Sequence, residues 1–93
     1  MTAKLDAEVT ALRALGWLAG DDDRLATFLA ASGTAPSDVR GGAQDPDFLA
    51  AVLDFLLQDE ASVIAFCTDE GLAFDAPLRA RVHLPGGEAM HWT

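Results

Sequence analysis

The sequence predicts an all-α fold, a compact orthogonal bundle of five to six short helices in an arrangement compatible with two stacked pseudo-repeats. Apolar residues recur at helical spacing along most of the 93-residue chain, and glycines stand where helices would end. No segment alternates with the period of two that a strand requires. We assign residues 1–86 to one helical domain and residues 87–93 to a mobile C-terminal tail.

The first two predicted helices are separated by a glycine and a run of acids. The first helix extends from Lys4 to Ala19 and the second from Asp23 to Ser32, with Gly33 as the stop of the second. Both stretches carry apolar residues at helical spacing, from which we place each helix on the core. These residues are Leu5, Val9, Leu12, Leu15 and Ala19 in the first helix, and Leu25, Phe28 and Leu29 in the second.

The second half of the chain contains the most apolar helix. A short helical turn is predicted after Pro36, and the segment "DPDFLAAVLDFLLQDE" then begins with Asp45 as N-cap and Pro46 in the first helical position. Apolar residues cover more than half of this helix, which we therefore expect to be central. A fifth helix follows over residues 60–70, and a short last one over about residues 75–84.

The two halves of the chain resemble each other when one is shifted by 38 positions. Each half then consists of a helix, an acidic junction, a helix with a central phenylalanine and a glycine stop, as expected of two helix pairs around one core. The matched pairs are Leu15 and Leu53, Trp17 and Phe55, Leu18 and Leu56, Asp21 and Asp59, Asp22 and Glu60, Leu25 and Val63, Phe28 and Phe66, and Gly33 and Gly71.

Two segments resemble a known bacterial family, the domain of unknown function 3572. They are "ALGWLAGDDDRLATFLAASGTAPSDVR" and "DPDFLAAVLDFLLQDEASVIAFCTDEGLAFDAPLRAR", and the similarity extends from about Leu5 to Gly86. The sequence departs from the family at Thr34, where a leucine is usual, and at Phe74, where a proline is usual. The resemblance implies a small, cytoplasmic helical protein. It carries over no catalytic or binding residue, because the family has no assigned activity.

The charge of the chain weighs against binding to nucleic acids and anionic membranes. Six basic residues against fifteen acidic ones give a net charge of −9, which leaves no broad basic face for phosphates. No segment approaches the ~20 apolar residues that a membrane span requires, and the N-terminus lacks the apolar core of a signal peptide. A single cysteine, Cys67, fits a reducing compartment. We therefore expect a cytoplasmic protein.

The residues that could carry catalysis or bind metal have simpler interpretations. Asp21, Asp22 and Asp23 lack the alternating spacing of a calcium loop and are interpreted as the start of a helix. Cys67 falls within an apolar stripe and is expected to be a buried thiol. His83 and His91 share no ligand spacing with it. We accordingly expect no enzyme activity, no cofactor and no metal.

Four residues form our candidate partner-binding site: Trp17, Arg40, Arg79 and Arg81. The three arginines flank the short turns at the ends of the repeats, where they either pair with neighbouring carboxylates or form a recognition patch. Trp17 lies off the apolar stripe of its helix. It is either covered by the segment that follows or exposed as an anchor for a partner.

The sequence supports two functional hypotheses of different classes. The first is a small helical interaction or adaptor module that binds another protein, including a second copy of itself as a homodimer. The alternative is a helix-turn-helix DNA-binding regulator, in which Arg40, Arg79 and Arg81 would contact phosphates. The net charge argues against the alternative, as does the lack of a basic recognition helix.

Overall fold

A computed structural model describes residues 2–87, and within that range the chain is helical without a strand. The predicted all-α class is therefore confirmed, and the predicted helices agree with the observed ones to within two residues at most ends. The elements are α1 (Ala3–Ala19), α2 (Asp22–Ser32), a 3-10 turn (Pro36–Asp38), α3 (Val39–Gly42), α4 (Pro46–Leu57), α5 (Glu60–Glu70) and α6 (Ala76–Val82).

The end of the described chain belongs to the folded domain. Gly87 is buried, and its N–H donates a hydrogen bond to the carbonyl oxygen of Leu84. Of the tail predicted for residues 87–93, Gly87 alone is among the described residues.

Aspartate side chains cap the N-termini of three helices. The side chain of Asp21 accepts hydrogen bonds from the backbone N–H groups of Asp23 and Arg24 at the start of α2. Asp45 and Asp59 accept equivalent bonds at the starts of α4 and α5. Each cap satisfies donors that the first turn leaves free and places a negative charge at the positive end of the helix dipole.

The core is centred on α4, as predicted. This helix packs against α1, α2, α5 and α6, and the phenyl rings of Phe28 and Phe66 are fully buried beside it. The buried side chains of α4 are Leu49, Ala50, Val52, Leu53 and Leu56.

The face by which α1 joins the core differs from the predicted one. Leu5, Val9 and Leu12 were expected on the core, but they are 43%, 40% and 41% exposed. The buried face instead carries small residues together with two leucines, and the small residues allow the neighbouring helices to approach α1 closely. These buried residues are Ala7, Ala11, Ala14, Leu15 and Leu18.

The two repeats have matching local structure. The bounds of α2 coincide with those of α5 after the 38-residue shift. Both helices end at a glycine in the left-handed region, Gly33 with φ of 70° and Gly71 with φ of 69°, a conformation in which any other residue is strained.

The repeats contact each other reciprocally. Trp17 packs edge-on against Phe66 of the second repeat, with ring centroids 5.8 Å apart. Phe55, the equivalent of Trp17, packs in the same way against Phe28, the equivalent of Phe66, at 5.3 Å. The helices contact each other in the same reciprocal way: α1 contacts α5, and their repeat equivalents α4 and α2 also contact each other. Contacts that exchange in this way are those of two units related by an approximate two-fold axis.

Candidate functional site

The exposed face of α1 carries an unpartnered row of apolar and small residues, which we call the α1 stripe. Its members are separated alternately by four and three residues, which is the spacing of a coiled-coil seam. All of them are exposed, although an apolar row of this length normally faces a partner. The α1 stripe consists of Leu5, Val9, Leu12, Gly16 and Ala19.

The C-terminal half of the α1 stripe opens into a shallow cleft of about 510 Å³ between α1, α2 and the 3-10 turn with α3. Its walls are almost wholly apolar, formed by Leu12 and Leu15 of α1, Leu25 of α2, and Val39 of α3. Arg40 is the single charged residue that lines this cleft, which we therefore call the Arg40 cleft.

Ion pairing distinguishes Arg40 from most other cations of the chain. The pairs are Arg13 with Glu70, Arg24 with Asp21, Arg79 with Asp75 and Arg81 with Asp54. Among residues 2–87, Lys4 and Arg40 have no carboxylate within 4.0 Å. Lys4 adjoins the first residue of the α1 stripe, and Arg40 lines the cleft at its other end. The unpaired positive charges therefore flank the apolar row.

Trp17 is partly covered by contacts within the fold. Its indole is half-buried, and its Nε1–H donates a hydrogen bond to Asp69 Oδ2 over 2.7 Å. The guanidinium of Arg24 stacks over the ring at 4.0 Å from its centroid, and Phe66 packs against its edge. Arg24, from the segment that follows α1, thus covers part of the ring, which is one of the two interpretations that the sequence allowed.

The three candidate arginines do not form one patch in a common cleft. Arg81 is only 8% exposed, and its guanidinium bonds both carboxylate oxygens of Asp54 and the carbonyl of Pro85. It therefore ties α6 to α4 and cannot reach a DNA phosphate without breaking these bonds. Arg79 lines a different cleft, beside α1 and His83, which shares no lining residue with the Arg40 cleft.

The acidic run and the thiol lie where the sequence suggested. Asp21 caps α2, and in residues 2–87 no group of three His, Cys, Asp or Glu side chains is arranged to hold a metal ion. Cys67 is fully buried, while His83 is exposed. Burial raises the pKa of the Cys67 thiol above its ordinary value, and the negative charge of Asp75 adds to that rise. His91 lies outside the described residues.

The sequence contained a signal for the α1 stripe that the helical spacing alone concealed. The repeat equivalents of Val9 and Gly16 are Asp47 and Asp54, both of which are exposed on α4. These two positions therefore lie on the outside of both repeats. Leu12 departs from this rule, because its equivalent Ala50 is buried whereas Leu12 is exposed.

Comparison with known proteins identifies one family. A family model with the description "Protein of unknown function (DUF3572)" matches residues 4–87. No curated protein and no solved structure matches the chain. Within the part of the chain that the structure describes, no helix has the length and apolar character needed to cross a bilayer.

Proposed function

The chain belongs to the DUF3572 family of proteins of unknown function, and we propose that it acts as a helical protein-binding module whose contact surface is the α1 stripe. The observation that carries the proposal is the exposure of Leu5, Val9 and Leu12 at coiled-coil spacing on an otherwise well-packed helix. Of the four residues predicted from the sequence, Arg40 alone belongs to this proposed contact site, and Trp17, Arg79 and Arg81 do not.

The chemistry of the α1 stripe defines the partner. An amphipathic helix with apolar residues at the same spacing would bury the three large side chains, which contribute roughly 1 kcal/mol each given that they are already partly covered. Carboxylates beside its apolar face would meet the unpaired Lys4 and Arg40. Because association costs several kcal/mol in lost freedom, we expect a modest affinity.

A binding role also fits the state of the nucleophile that the chain contains. The thiol of Cys67 is fully buried and so inaccessible to a substrate, and burial raises its pKa, which disfavours the thiolate that attacks an electrophile. The imidazole of His83 is exposed, and among residues 2–87 it has no side-chain hydrogen bond that would orient it as a base.

Site-specific photo-crosslinking in cells tests the proposal. A photoreactive amino acid at position 12 should form adducts with protein, whereas the same group at position 78 should not. Leu78 is a matched control because it is also exposed, at 47%, but lies on α6. Adducts at position 12 should disappear when Val9→Glu is added. Equal labelling at both positions, or none at position 12, would refute the proposed function.

A further inference from the structure

We propose that the α1 stripe binds the α1 stripe of a second copy of the chain, as an antiparallel two-fold dimer centred on Leu12. The inference rests on the proposed function and names its partner. In such a pair the interface residues of one copy face those of the other in reverse order, so Leu5 meets Ala19 and Val9 meets Gly16. Apart from the two Leu12 side chains, which meet at the centre, large residues then lie opposite small ones, and this allows the helices to pack closely.

Charge complementarity fixes the antiparallel direction. Glu8 and Gly16 lie four residues on either side of Leu12, which is about 6 Å along the helix axis in each direction. Glu8 of one copy is therefore level with Gly16 of the other, and Gly16 lines the Arg40 cleft. A parallel two-fold pair would instead put the two Glu8 residues at the same level but on opposite flanks, and would leave each of them about two helical turns from the level of the other copy's Arg40 cleft.

Glu8 and Arg40 also lie on the same flank of the α1 stripe. Glu8 precedes Leu15 by seven residues, two helical turns, and Leu15 lines the Arg40 cleft. The other flank of α1 carries Arg13, which is bound to Glu70 of α5. A two-fold axis perpendicular to the helices brings like flanks together, so Glu8 would approach Arg40 of the other copy twice in each dimer.

Both charges are free to make this contact. Within residues 2–87 Glu8 takes part in no ion pair, and neither does Arg40. The large net charge of −9 opposes association of two copies, but charges more than about 8 Å apart are largely screened at physiological ionic strength. The local opposite charges at the interface are closer than that distance.

The size of the surface indicates a weak dimer. From Leu5 to Ala19 the α1 stripe is about 21 Å long and one helix wide, which is less than the ~800 Å² per partner of a standard interface. We therefore expect a dissociation constant in the micromolar range, roughly 1–100 μM.

Sedimentation equilibrium from about 1 μM to 1 mM tests the inference on the full chain. The wild type should change from monomer to dimer over this range. Leu12→Glu, which places two carboxylates against each other at the centre, should remain monomeric with an unchanged helical circular dichroism spectrum. Arg79→Glu is the control for charge, because it changes the net charge by as much as Arg40→Glu does but lies at an exposed site outside the interface. It should dimerise almost as the wild type does.

The charge pair provides the decisive comparison. Glu8→Arg makes the chain less negative and so reduces the general repulsion between two copies. If that repulsion alone mattered, the dimer would bind more tightly. Loss of the specific pair with Arg40 should instead weaken the dimer about tenfold. Combining Glu8→Arg with Arg40→Glu restores the net charge of −9 and should restore the wild-type dissociation constant. A dimer that tightens with Glu8→Arg, or a double variant without recovery, would overturn the antiparallel arrangement.

The failure of the dimer and the failure of the proposed function have different outcomes. A wild-type chain that stays monomeric at 1 mM overturns the self-association that we infer here. If position 12 nevertheless crosslinks in cells to a protein of different mass, the binding function stands with another partner. If position 12 forms no adduct of any mass, both are refuted.

Discussion

The indole of Trp17 donates a hydrogen bond to Asp69 across the boundary between the two repeats, with 2.7 Å between Nε1 and Oδ2. The second repeat has no counterpart, because the equivalents of these residues are Phe55 and Ala31. A small cleft of about 160 Å³ lies beside Phe55 and Ala31 instead. The aromatic rings of the two repeats therefore occupy equivalent positions, whereas the hydrogen bond from Trp17 to Asp69 has no equivalent in the other repeat.

A double-mutant cycle should detect this bond. Trp17→Phe keeps the edge-on ring contact but removes the donor, and Asp69→Ala removes the acceptor, so their effects on the free energy of unfolding should be coupled by roughly 1 kcal/mol. Phe55→Leu paired with Asp69→Ala is the control and should be additive within about 0.5 kcal/mol. Additivity in both cycles would mean that the Trp17 bond contributes nothing to stability.

Arg81 should contribute far more to stability than its neighbour Arg79. Replacing Arg81 by alanine removes the bonds of a buried guanidinium to the half-exposed carboxylate of Asp54 and to the carbonyl of Pro85, and should lower the free energy of unfolding by about 1.5–3 kcal/mol. Arg79→Ala removes an exposed pair with Asp75 and should cost less than about 0.5 kcal/mol. Urea denaturation measures both, and equal losses would contradict the assignment of Arg81 as a structural residue.

Glycines in the chain should respond to alanine with opposite signs. Gly33 and Gly71 have positive φ at the ends of α2 and α5, so Gly33→Ala and Gly71→Ala should each cost about 1 kcal/mol. Gly16 lies inside α1 with open space around it, so Gly16→Ala should stabilise the monomer by about 0.5–1 kcal/mol. Thermal unfolding at low concentration separates the two cases. A destabilised Gly16→Ala chain would show that this position is constrained in the monomer.

The helices were predictable from sequence because their boundaries are encoded locally. Asp45 with Pro46 begins α4, and Gly33 and Gly71 end helices through their own conformational freedom. The orientation of α1 was predicted wrongly because its exposed face is more apolar than a simple amphipathic helix allows, and the buried face is mostly alanine. Comparison with Asp47 in the other repeat would have placed Val9 on the outside, but not Leu12, whose equivalent Ala50 is buried.

The roles of Trp17 and Arg81 could not be predicted, since both depend on contacts distant in sequence. Asp69 is 52 residues from Trp17, and Asp54 is 27 residues from Arg81. Spacing along a single helix contains no information about which carboxylate the fold brings to a given cation. The Arg79–Asp75 pair, four residues apart, could be expected from spacing, but the sequence did not reveal that within residues 2–87 Arg40 has no carboxylate within 4.0 Å.

Alkaline pH should destabilise the chain through Cys67. The folded state holds this thiol at a raised pKa, so as the pH rises the unfolded chain loses the proton first. The stability that the neutral thiol contributes is fully present below the unfolded pKa of about 8.5 and is lost as the pH rises through the folded value. The sequence contains no tyrosine to titrate nearby. Urea denaturation between about pH 8 and pH 10 should therefore show a steeper loss for the wild type than for Cys67→Ala, and parallel slopes would refute this.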